Sequence, residues 1–278
     1  MFDRPDSRFP QHNHGSGPHG TGPERRLAVM QLVRVSLQSL MLCRDDALRL
    51  GIVPLAIYFL GSLYGAPAFE QMFTGGLDQG SSQLNPDAAG PLMVTAIIIV
   101  IGLSLLSVNW LRFLLLGPSA VEGLGLALRR LHVIFLLGAF ALGFCGSIVL
   151  ALVSIPIALL LGAAAQIGIL IAALLIGVVG VRLALALVAI AIGQPISLRQ
   201  AWEASQGQGW ILLLACLLVE APFLLLMIVI RLIAEGTGLA DAAPYTMLLI
   251  GCVAQIAATL AQCGVIAAGY RRLLGVRA

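Results

Sequence analysis

LHVIFLLGAFALGFCGSIVLALVSIPIALLLGAAAQIGILIAALLIGVVGVRLALALVAIAIG, residues 131–193, carries a single charged side chain, Arg182. An α-helix rises 1.5 Å per residue, so one unbroken helix over this stretch would measure about 95 Å against a hydrocarbon core of about 30 Å. The stretch must fold back on itself. The turn belongs near Gly162 to Gln166, which gives one membrane span over residues 132–161, with Pro156 inside it, and another over 167–190.

Composition extends that reading to the whole chain. Of 278 residues 59% are hydrophobic and 10% charged, where a soluble domain carries about 25% charged residues. A water-soluble fold of this make-up would have no surface. Four further apolar stretches, 48–64, 91–111, 210–233 and 244–270, complete a set of six spans. The expected class is all-α, a polytopic membrane protein whose spans form a single domain over residues 24–278.

Residues 1–23, MFDRPDSRFPQHNHGSGPHGTGP, have almost nothing apolar to bury and read as a disordered cytoplasmic tail. No continuous apolar run follows the basic start, so the segment is not a signal peptide. Its His12, His14 and His19 are candidates for loose metal binding or are incidental to the tail's composition; no metal ligand is assigned.

Between the tail and the first span, Met30, Val33, Leu37 and Leu40 recur at helical spacing opposite Gln31, Arg34 and Gln38. That stripe suits a helix lying flat on the membrane or one packed against the bundle. Two capping boxes, Ser119 with Glu122 and Ser197 with Gln200, mark further short surface helices. The segment from Gly65 to Gly90, GAPAFEQMFTGGLDQGSSQLNPDAAG, reads as a polar loop. A surface helix, an outgoing span and a return span recur with a period of about 80 residues, either as three related helical hairpins or as a coincidence among Leu- and Gly-rich segments.

Every basic side chain is Arg. Seven, from Arg4 to Arg49, precede or open the first span; Arg129, Arg130, Arg199, Arg271, Arg272 and Arg277 lie after the second, fourth and sixth. The alternate loops carry none, so the positive-inside rule places both termini in the cytoplasm, in a bacterial inner membrane. No basic stripe interleaved with aromatics is present, which excludes a nucleic-acid partner. The five cysteines show no CxxC spacing and fall outside the alternate loops, so no structural disulfide is expected.

Ionisable groups within spans cost about 2.5 to 3.5 kcal/mol on insertion scales, and each therefore calls for a partner. Arg182 and Glu220 qualify. Counting from span ends brings both near mid-membrane, where they would form either the floor of a polar cavity or an ion pair fixing helix register. Alternatively Arg182 marks the inner end of a shorter fourth span, leaving Glu220 without it. Trp110, Trp202, Trp210 and Tyr270 fall at expected inner ends and read as interfacial anchors, and His132 as a solvated edge residue. Gly61 with Gly65, and Gly264 with Gly269, suit close helix packing. The chain holds no HExxH, GxSxG, P-loop or GxGxxG element, so no catalytic residue and no cofactor is assigned.

The stretch VRLALALVAIAIGQPISLRQAWEASQGQGWILLL, with Arg182, Gly193, Ala201, Trp202, Gly207 and Trp210, resembles an element of bacterial six-helix membrane proteins similar to the membrane domain of glycerophosphoryl diester phosphodiesterases. It departs from that pattern at Val188, Ser205 and Gln208. The resemblance covers an eighth of the chain. It implies a helical bundle and no activity, since the phosphodiesterase site belongs to a separate soluble barrel. The expected function is that of a non-enzymatic membrane component acting through lipid, a membrane-protein partner or a second copy; the alternative is a small transporter using Arg182 and Glu220.

Overall fold

The computed structural model describes residues 28–78, 86–121, 130–162, 165–238 and 242–275. The tail lies outside these, as does Glu122. Among the described residues the chain is all-helical: α1 (Val29–Leu42), α2 (Arg44–Asp78), α3 (Pro86–Leu116), α4 (Arg130–Leu161), α5 (Ala165–Ala191), α6 (Leu198–Ala204), α7 (Gly209–Thr237) and α8 (Pro244–Leu273). Six of them, all but α1 and α6, are long and apolar enough to cross a membrane. The chain is an integral membrane protein.

The long apolar stretch breaks at Gly162, whose φ of 50° is a left-handed conformation that glycine adopts without a Cβ clash. The most extensive packing lies within α2–α3, then α4–α5, then α7–α8, so consecutive spans pair as three hairpins. In the first hairpin, a Cβ on Gly61 would come within 2.9 Å of Ile98 Cγ2 and one on Gly65 within 2.5 Å of Thr95 Oγ1. The two glycines let the backbones meet. The supposed polar loop is shorter than expected, because α2 stays helical to Asp78 and α3 begins at Pro86. Ala66, Ala68, Glu70, Gln71 and Met72 are strong helix formers, and Pro67 removes only one backbone bond.

Helix α1 packs on the bundle rather than lying free on a bilayer. Leu32, Val33 and Ser36 are buried, and Ser36 Oγ donates to the Ala261 carbonyl of α8. Gly264 makes room for it, since a Cβ there would come within 2.5 Å of Ser36 Oγ. Gly269 does the same for Leu212 of α7. Met30, which the periodicity placed on the apolar stripe, is 69% exposed; Leu32 takes its place in the contact.

The buried core gathers at one end of the molecule. It joins Leu106 to Leu115 of α3, Leu185 to Ala191 of α5, Leu212 to Val219 of α7 and Ile256 to Tyr270 of α8. Arg112, Arg182, Arg271 and Arg272 lie at this same arginine-bearing end, and an Arg272–Gln31 hydrogen bond of 2.8 Å brings the start of α1 to the end of α8. Towards the other end, α4 and α7 expose Leu152, Leu159, Leu160, Leu225 and Ile228. Lipid tails are as apolar as these side chains, so they gain nothing by burial there.

Candidate functional site

The two Pro residues that follow spans shape the arginine-bearing end. A helix leaves its last four carbonyls without intrahelical donors, and Pro supplies no N–H to the carbonyl four residues before it. Pro118 thus deprives Leu114, and Pro195 deprives Ala191. Arg271 donates to the Leu114 carbonyl, and Arg112 Nη1 donates to Ala191 O at 3.1 Å. Guanidinium groups from the third and first hairpins close the ends of the first and second. Arg112 also reaches Ala120 O at 3.3 Å, within the single 3₁₀ turn Pro118–Ala120 in which Ser119 lies.

Arg182 sits in α5, and its partners come from the connection that follows. Its Nε donates to Ser205 Oγ at 3.0 Å, one terminal nitrogen donates to Trp202 O at 2.7 Å, and the guanidinium lies 3.5 Å over the Trp202 ring. Ser205 is fully buried and donates to Ala201 O. The Ser197 capping box is formed in both directions, with Gln200 N to Ser197 Oγ at 3.2 Å and Ser197 N to Gln200 Oε1 at 3.0 Å. Gly193 and Gly207 take positive φ values of 77° and 74° on either side of α6. Gly209 seats on the stem of Arg182, where a Cβ would come within 2.9 Å of Cδ. Arg182 therefore fastens α6 and the start of α7 to α5.

Glu220 takes a different partner: Gln262 Nε2 donates to its Oε2 at 2.6 Å. The structure does not bring Arg182 and Glu220 together. Eleven residues of α7, about 16 Å of helix, separate Glu220 from the Gly209 that rests on Arg182. Depth counted from span ends took α5 and α7 to end at one level. In fact α5 runs nine residues past Arg182, and the connection folds back to start α7 beside it.

Three expectations for side chains at this end change. His132 is buried, and its Nε2 lies 3.2 Å from Asn109 Oδ1, because α4 turns this side chain onto α3 rather than outward. Trp110 is 1% exposed, donates from Nε1 to Leu260 O at 3.0 Å and stacks on Phe113. Tyr270 is likewise buried. Trp202 and Trp210, at 41% and 54% exposure, retain the partial exposure of interfacial residues. The sequence signal for the His132–Asn109 contact was a polar residue at the arginine-bearing end of each of two adjacent spans.

Open space at this end is a cleft of about 810 Å³ between the α5–α6 connection, α6 and the end of α8, lined by Gln194, Ile196, Gln200, Glu203, Tyr270 and Leu274. A smaller groove of about 280 Å³ runs between α1 and α8 beside Gln31, Arg271 and Arg272. None of the five cysteines is bonded to another. Among the described residues no three His, Cys, Asp or Glu side chains converge as a metal site.

No family model, curated protein or solved structure matches the chain.

Proposed function

We propose that this is a non-enzymatic bacterial inner-membrane protein, with its arginine-bearing end in the cytoplasm, that acts through contacts with a membrane-protein partner and with lipid. One observation carries the reading: Arg182 and Glu220, the costly groups in the spans, are taken up by Trp202, Ser205 and Gln262, whereas an open cleft of about 810 Å³ lies at the arginine-bearing end. The cleft combines amide, carboxylate and phenol groups with Ile196 and Leu274, a mixture suited to a partner segment with both apolar and polar side chains. The chain's own helical bundle is of the kind that the resemblance to phosphodiesterase membrane domains implies.

A photo-crosslinking residue at Gln200, which lines the cleft, is expected to yield a discrete protein adduct in intact membranes. The same probe at Leu159, 81% exposed at the far end, should yield lipid adducts. Identical adducts from both positions, or none from Gln200, would contradict the proposal.

A transporter reading draws on the Glu220–Gln262 contact, a carboxylate held between two spans. Glu220→Gln preserves an acceptor for Gln262, so a fully folded variant that loses a transport current would favour this reading over the first.

A further inference from the structure

Along the first turns of α2, one helical face carries Arg44, Leu48, Gly51 and Leu55, at spacings of four, seven and eleven residues. This face and α8 enclose a groove of about 310 Å³, with Val253 and Ile256 as its opposite wall. Apart from Arg44, every lining side chain is apolar, or absent at Gly51. Gly51 opens the floor: even a Cβ there would still lie 3.6 Å from Ile256. The rim residues Leu48 and Ile52 are 68% and 60% exposed, so the groove opens sideways towards lipid.

We propose that this groove binds one anionic diacyl phospholipid, with its phosphate on Arg44 and an acyl chain lying along Leu48, Gly51 and Leu55. Length supports the match. Arg44 to Leu55 is eleven residues, about 16 Å of helix, and one leaflet of a ~30 Å hydrocarbon core is about 15 Å deep. Charge supports it too. Among the described residues Arg44 pairs with Asp45, at 3.6 Å, with the two side chains 80% and 92% exposed, a pair too solvated to occupy the guanidinium. At 3.6 residues per turn, Asp45 and Asp46 point about 100° and 200° away from the groove face. The site deepens the lipid half of the proposed function and stands apart from the Gln200 cleft, so either can fail without the other.

The test is native mass spectrometry of the detergent-purified full chain, titrated with phosphatidylglycerol and, separately, with phosphatidylcholine. The expected result is one retained phosphatidylglycerol, preferred over phosphatidylcholine by about five-fold, the effect of one guanidinium at a membrane surface. Arg44→Gln should abolish the preference while Arg49→Gln, an exposed arginine off the groove, leaves it intact. Gly51→Leu, which fills the floor, should lower retention of both lipids, and glycerol phosphate without acyl chains should not compete. Equal behaviour of the Arg44 and Arg49 variants, or retention of several lipids without preference, would show ordinary annular lipid and overturn the proposal.

Discussion

At the residue scale, Arg182 illustrates how a charge in a span can be structural without meeting an opposite charge. A planar guanidinium stacks on an indole and donates in fixed directions, which an ammonium does not reproduce. Arg182→Lys is expected to destabilise the protein by about 1 to 2 kcal/mol through loss of the Trp202 stacking and the Ser205 bond. Thermal unfolding in detergent, together with faster proteolysis of the 193–208 connection, would show it. Unchanged melting and proteolysis would refute the fastening role. Sequence flagged Arg182 and Glu220 as residues requiring partners, and both have them. It could not choose the partners, because that depends on where the α5–α6 connection folds back, a tertiary property that no spacing within a span encodes. His132 and Trp110 were misplaced for the same reason: a helix end beside water and one covered by a neighbouring hairpin read alike along the chain.

At the element scale, the hairpins rest on small residues where two backbones approach. Gly65→Ala places a Cβ against the branched Thr95 side chain and should cost about 1 to 3 kcal/mol. Thr95→Ala removes the two nearest obstructing atoms, Oγ1 and Cγ2, and leaves Cβ at 3.0 Å, so the double variant should recover much of the loss in a double-mutant cycle. Strict additivity of the two substitutions would contradict the packing described for α2 and α3. The Ser197–Gln200 box was legible from four residues, because capping is a local interaction, and it is formed in both directions. Ser197→Ala should accordingly cost about 1 kcal/mol, measurable by the same unfolding assay. The helical extension of α2 to Asp78 was not legible, since its polar composition masked good helix formers.

At the scale of the whole molecule, six apolar helices followed from composition and length, and their pairing as hairpins was one of two readings of a loose repeat of about 80 residues, whereas the position of the core was not legible. Buried side chains concentrate at the arginine-bearing end, where hairpins, α1 and α6 converge and where guanidinium groups complete helix ends left open by Pro118 and Pro195. Apolar periodicity along spans cannot reveal that asymmetry, because lipid-facing and protein-facing positions are equally apolar; hence the weak amphipathic signal of α4, α5 and α8. The central claim is that this end forms one side of a six-span bundle. Single cysteines placed at Gln200, Gly236 and Arg272 in a cysteine-free background, reacted with a membrane-impermeant thiol reagent on intact cells, test it most directly. The account predicts labelling at Gly236 alone, with Gln200 and Arg272 reacting only after the membrane is opened; labelling of Gln200 and Arg272 on opposite sides would contradict it.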